Sequence, residues 1–148
     1  MHATDPTERL IQRLGYAGLI PFVLLALLLW IVDPALVPFV ALALAAYGAA
    51  IVSFLGGIHW GVGLRLASEH ARVRHLHLVW GIIPPLLAWL ALLLPPFAGL
   101  PLLAFILVGC YLVDRRTWRQ AGLEAWLPMR LHLTGVATLA CLLGAGAT

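Results

Sequence analysis

Tyr47-Gly-Ala-Ala-Ile-Val-Ser-Phe-Leu-Gly-Gly-Ile-His-Trp-Gly61 lies inside a segment, from about residue 35 to residue 64, that has no acidic or basic residue apart from one histidine. It carries Ser53, Gly56, Gly57, His59 and Gly61 where a lipid-facing helix would carry leucine. Ala45, Ala49, Ser53, Gly57 and Gly61 recur every fourth residue, so on a helix they form one stripe of minimal side-chain bulk. In a bilayer such a stripe admits a second helix closely, because association there rests on packing rather than on escape from water. The stretch is read as the central helix of a membrane bundle, and those five residues as its helix-packing interface.

Composition supports that class. Of 148 residues, 63% are hydrophobic and 10% charged, and a mean hydropathy of +1.01 lies outside the range of ordinary soluble domains. There is no lysine, and the net charge of +3 comes from nine arginines against six acids. Arginines this sparse, separated by apolar runs, are not a nucleic-acid footprint. They carry topology instead. Cys110 and Cys141 fall in different apolar segments at depths differing by on the order of 10 Å, too far for a disulfide, so both are expected as small core residues.

The chain divides into a short amphipathic lead-in, residues 1–13, and spans at about 14–32, 35–64, 76–94, 100–113 and 131–147. Thr4-Asp-Pro-Thr-Glu8 has the pattern of a helix start, with Asp5 as cap and Pro6 in the first turn. The lead-in is expected at the membrane surface. The first run has no small-residue cleavage site soon after it, so it is expected to remain as a span. Residues 35–64 exceed one span, so the helix must tilt, bend at Gly56-Gly57 or project. Pro84-Pro85 should kink the third span and free carbonyls that a neighbour has to face.

With five spans, the loops holding Arg65, Glu69, Arg72 and Arg74 and Asp114 to Arg130 fall on the side of the N-terminus, and all nine arginines lie there. Four or six spans would scatter them. The positive-inside rule puts the N-terminus in the cytoplasm and the C-terminus on the opposite side. Trp60, Trp80, Trp118 and Trp126 lie near the same end, as an interfacial belt should. The expected fold is all-α, a single integral membrane bundle of five transmembrane helices.

No phosphate loop, paired-cysteine ligand spacing or zincin motif is present, and the first and last helix pairs are not evident inverted copies. His59 is the sharpest candidate, since an ionisable group within a span suggests function; the plainer alternative is an interfacial or hydrogen-bonded packing role. His75, His77 and His132 enter from the same side, and His59 with His77 or His132 would suit a haem or divalent metal. Asp114 and Arg130 face each other across a loop as a candidate structural ion pair. Ser53 and Thr134 are expected to hydrogen-bond helix carbonyls or a neighbouring helix.

Leu14-Gly-Tyr-Ala-Gly-Leu-Ile-Pro-Phe22, the Gly-Gly-Ile-His-Trp-Gly core of residues 56–61, Trp80-Gly-Ile-Ile-Pro84 with Trp89, and Asp114 followed by Trp126-Leu-Pro-Met-Arg-Leu-His-Leu-Thr134 appear in that order. Together they resemble the transmembrane protein sixty-nine-like family of small five-span proteins, found in bacterial inner membranes and animal mitochondria. The resemblance implies that His59, Trp60, Asp114 and Arg130 occupy motif positions. Leu127, where an aromatic is common, and Met129, where leucine is common, depart from the pattern next to Arg130. The family brings a fold and a membrane but no reaction.

The resulting expectation is a non-enzymatic multi-pass protein of the cytoplasmic (inner) membrane. It would act as an accessory or assembly subunit of an energy-transducing complex, contacting membrane lipids and other integral membrane proteins or a second copy. It would need no cofactor and bind no nucleic acid. Two alternatives are a haem or metal protein using His59 with His77 or His132, with Trp60 a further candidate functional residue, and a small transporter or lipid-handling protein with a polar cavity near His59, Pro84 and Ser53.

Overall fold

Prolines and glycines set where each helix begins and breaks. In the computed structural model, which describes residues 5–66 and 70–148, the Asp5 carboxylate accepts from the Thr7 amide at 3.2 Å and Pro6 opens α1, Pro6–Ala17. Thr4 and Glu69 lie outside the described residues. Helix α2, Ile20–Leu28, follows after only Gly18 and Leu19. The break falls where Pro21 has no amide to give the Ala17 carbonyl. Tyr47 Oη reaches into this joint and donates to the Gly18 carbonyl at 2.8 Å.

Together α1 and α2 make one span, Pro6–Leu28. The lead-in and the start of the first apolar run are thus one helix, α1, which joins them without a break. Regular helix ends at Leu28, the chain turns through Leu29 to Val32, and Asp33 then caps a short 3-10 turn, Pro34–Leu36.

Helix α3 then runs unbroken through Gly56-Gly57, Val37–Arg65. Its 29 residues measure about 44 Å at helical rise, so it must tilt or project from the hydrocarbon. The third span is α4, Ala71–Trp80, and α5, Ile83–Leu92, separated where Pro84 and Pro85 leave the Trp80 and Gly81 carbonyls without their helical donors. Helix α6, Pro96–Thr117, is longer at both ends than residues 100–113, since a proline serves well as a first helical residue and Asp114 to Thr117 continue the helix. Gly122, at φ +71°, supplies the left-handed turn that lets the chain reverse into α7, Leu127–Gly146.

Among the described residues five stretches are long and apolar enough to cross a membrane, and the chain is an all-α multi-pass bundle. Helix α3 is its axis and touches α2, α4, α5, α6 and α7. Leu44, Val52, Leu100, Leu103 and Leu107 fill the core around it, with alanines such as Ala41, Ala88, Ala137 and Ala140 letting the helices close in. Outside, Ile31, Phe39, Phe54, Phe105 and Leu93 are widely exposed, as lipid-facing side chains are.

The small-residue stripe divides. Ala45 and Ala49 are buried, but Ser53, Gly57 and Gly61 face outward, and among the described residues nothing beyond the adjacent backbone of α3 lies within 4 Å of a Cβ placed on either glycine. The close approach within the chain belongs to Gly56 and Gly63, one and two positions off the stripe. A Cβ on Gly56 would run into the Gly81 carbonyl oxygen, and one on Gly81 would lie 2.7 Å from the Gly56 carbonyl oxygen. A Cβ on Gly63 would lie 2.8 Å from Leu78. The kink at Pro84-Pro85 is thus pressed against the bare backbone of α3.

Neighbouring glycines on one helix should respond oppositely to alanine. Gly56→Ala is expected to lower stability by about 1–3 kcal/mol, since backbone cannot move aside as a side chain can. Gly57→Ala should be neutral or stabilising by up to about 1 kcal/mol. Unfolding of the purified protein in mild detergent measures both.

Candidate functional site

Among the described residues, five buried polar or charged side chains stand in the otherwise apolar interior: His59, His77, Asp114, Arg130 and Thr134. Four of them form one chain across four helices. His77 Nδ1 of α4 lies 2.8 Å from His59 Nδ1 of α3, and His59 Nε2 lies 2.8 Å from Asp114 Oδ1 of α6. The second carboxylate oxygen, Oδ2, accepts from Arg130 Nε of α7 at 2.9 Å, with Nη2 at 2.8 Å but not aligned as a hydrogen bond. The two imidazoles are stacked, with centroids 5.0 Å apart and planes 30° apart.

Each helix delivers its residue at a similar depth. His59 lies six residues before the end of α3, His77 six residues into α4, Asp114 three residues before the end of α6 and Arg130 three residues into α7. At about 1.5 Å per residue that is roughly 5–9 Å inside the arginine-rich ends of the helices. The tight turn at Gly122 brings Arg130 back to Asp114. Trp118, one turn beyond Asp114, underlies the guanidinium with its ring centroid 5.9 Å from Cζ.

Partners dictate where the protons sit. An ionised Asp114 only accepts, so His59 Nε2 donates to it. A neutral His59 then presents a lone pair at Nδ1, and His77 Nδ1 must donate across the 2.8 Å gap. His77 Nε2 is left as a buried lone pair without a partner among the described residues.

The structure separates the candidate ligands named from sequence. His59 and His77 meet, but His132 is exposed on another face, where its Nδ1 lies 3.0 Å from Tyr16 Oη. His75 is also exposed. Both ring nitrogens of His59 are engaged, and among the described residues no three His, Cys, Asp or Glu side chains stand where they could hold a metal ion. Trp60 is 41% exposed, and its ring lies against Gly81 instead of joining the chain. Cys110 and Cys141 are buried free thiols.

Ser53 Oγ donates to the Ala49 carbonyl at 2.8 Å, whereas Thr134 Oγ1, expected to bond similarly, has no partner among the described residues. The polar cavity expected near His59, Pro84 and Ser53 is not where the hollow lies. A cavity of about 220 Å³ touches Pro84 and Trp80 but neither His59 nor Ser53. A larger one, about 450 Å³, lies beside Arg130, Trp118 and Thr134.

Trp118 was legible only as an interfacial aromatic, because α6 was expected to stop at residue 113. Carried through Thr117, the helical period puts Cys110, Asp114 and Trp118 on one face.

Residues 7–146 match the family described as "Protein of unknown function (DUF3429)". The chain belongs to this family. Among curated proteins it is similar to Transmembrane protein 69 of Xenopus tropicalis, 51% identical over 80 residues covering 54% of this chain and 31% of that protein. It is also similar to Transmembrane protein 69 of Mus musculus, 39% identical over 77 residues covering 52% of this chain and 31% of that one. The chain thus spans about a third of the length of the curated relatives it matches. No solved structure matches it.

Removing one partner of a buried ion pair strands the other, at a typical cost of about 3–5 kcal/mol. Asp114→Leu and Arg130→Met are each expected to lose about that much stability. The double variant should recover at least half, measured as a double-mutant cycle by unfolding in detergent.

Proposed function

We propose that this multi-pass membrane protein is a non-enzymatic accessory or assembly subunit of the inner membrane that binds other integral membrane proteins of an energy-transducing complex. The observation that carries the reading is the outward edge of α3, where Ser53, Gly57 and Gly61 are exposed and, among the described residues, no atom beyond the adjacent backbone of α3 comes within 4 Å of a Cβ on either glycine. The chain uses other glycines for its own close contacts, so this edge is free to admit a second backbone. The buried polar chain supports a structural role, since His59, Asp114 and the Arg130 Nε are already spent on each other.

Orientation follows from charge. Arg9, Arg13, Arg65, Arg72, Arg74, Arg115, Arg116, Arg119 and Arg130 all lie at one end of the five spans. That supports a cytoplasmic N-terminus and a C-terminus on the opposite side. The proposed partners are membrane lipids and another integral membrane protein or a second copy of the chain. The proposal assigns no cofactor and no nucleic acid.

A photo-crosslinking residue at Gly57 in the native membrane tests the reading. The expected product is a covalent adduct with another membrane protein, absent when the crosslinker replaces the lipid-facing Phe105 and lost with Gly61→Leu. Adducts to lipid alone from both positions would contradict it.

A further inference from the structure

Helix α4, Ala71–Trp80, is too polar to be held in the bundle by apolar burial. Its ten residues include Arg72, Arg74, His75 and His77, and His77 is the only one of the ten that is buried. That is the composition of a helix at a membrane surface. Two contacts fix it on α3: Leu78 over Gly63, and the His77 Nδ1 to His59 Nδ1 bond of 2.8 Å. At its far end the helix stops at Trp80, Gly81 rests backbone to backbone on Gly56, and α5 resumes only at Ile83. With Pro84 and Pro85 withholding helical donors from that joint, Gly81-Ile82 has the build of a hinge.

The bond that holds the arm depends on protonation. Two neutral imidazoles joined through their Nδ1 atoms share one proton, and Asp114 already keeps the other His59 proton on Nε2. The imidazole lone pair left vacant is His77 Nε2, which is buried and has no partner among the described residues. The surrounding charges are already balanced. Neutral His59 from α3, the Asp114 carboxylate from α6 and the Arg130 guanidinium from α7 sum to zero. Arg74 stands one turn earlier on α4 itself, and α5 carries no titratable residue. An imidazolium at His77 would thus be an unbalanced charge with a buried, unpartnered N–H. It is accommodated only when α4 has left α3 and the ring meets water.

We propose that α4 is an acid-released arm: the His77 to His59 bond latches it on α3 at neutral pH, and in acid it swings out about Gly81-Ile82, opening the His59 and Asp114 pair to water from the arginine-rich side. The closed form binds one proton fewer than the open form, so acid shifts the population between them. A water-exposed imidazole titrates near pH 6.5, so the ratio of open to closed arm rises by about 30-fold between pH 7.5 and pH 5.0. The device does not rest on the accessory-subunit reading, since neither His77 nor the hinge lies on the Gly57 edge.

Double electron–electron resonance on the full chain in lipid nanodiscs tests the arm. With Cys110 and Cys141 replaced by alanine, one pair of spin labels is placed at Ala71→Cys of α4 and Leu112→Cys of α6, both exposed. A second pair joins Leu112→Cys to Leu90→Cys of α5, beyond the hinge. The first distance is expected to lengthen at pH 5.0 and to return at pH 7.5, while the second stays constant. His77→Asn keeps an amide donor for His59 Nδ1 but takes up no proton, and should remove the pH dependence. His75→Asn and His132→Asn, at exposed histidines, should leave it in place. A first distance indifferent to pH, a shift that persists in His77→Asn or vanishes in His75→Asn or His132→Asn, or equal movement of both pairs would each overturn the proposal.

Discussion

A single carboxylate in a region of hydrocarbon, Asp114, sets the terms for the bundle. An ion at that depth is tolerated only with partners close by, and Asp114 has two, His59 Nε2 and the Arg130 guanidinium, both at 2.8 Å. Because those partners belong to α3 and α7, satisfying one charge fixes the relative depth of three helices. His59 extends the constraint to α4 through His77. Four of the five spans are thereby registered at one end of the molecule, while apolar packing around Leu44, Leu103 and Val52 holds the rest. Packing in lipid lacks the drive that burial supplies in water, so a polar anchor of this kind specifies an arrangement that apolar side chains alone would leave free to slide.

Small residues make the anchor reachable. Gly56 and Gly81 bring the kinked third span onto α3, and Gly63 does the same one turn past His59. Without those approaches His77 and His59 could not come within 2.8 Å. The first span is the exception. It takes no part in the polar chain and closes one side of the cavity beside Arg130, so the most firmly and the most loosely held parts of the bundle meet at the same residue.

Much of this was legible in the sequence, for identifiable reasons. Hydropathy and the one-sided arginines give five spans because both are properties of the whole chain and survive errors of a few residues. Helix limits were less legible: α6 begins at Pro96 and passes through Asp114 because proline starts helices as readily as it ends them, and charged residues at a membrane surface do not stop one. The small-residue stripe was assigned by period alone. Period places Gly57 and Gly61 on a common edge but cannot say whether that edge faces the chain or the lipid, and the true contact at Gly56 is a single residue away. His132 could be placed at the right end of the bundle but not on the right face, which depends on how α7 is rotated about Arg130. The unpartnered donors of Trp118 and Thr134 had no signal in the sequence, since whether a polar atom finds a partner is decided only when helices pack.

The dependence on Asp114 can be tested directly by nitrogen-15 magnetic resonance of the imidazoles in protein reconstituted in lipid. The expected spectrum shows His59 carrying its proton on Nε2 and His77 on Nδ1, with a through-space correlation between the two Nδ1 atoms. Both rings exchanging freely with water, or a His59 protonated only on Nδ1, would contradict a bundle organised around that carboxylate.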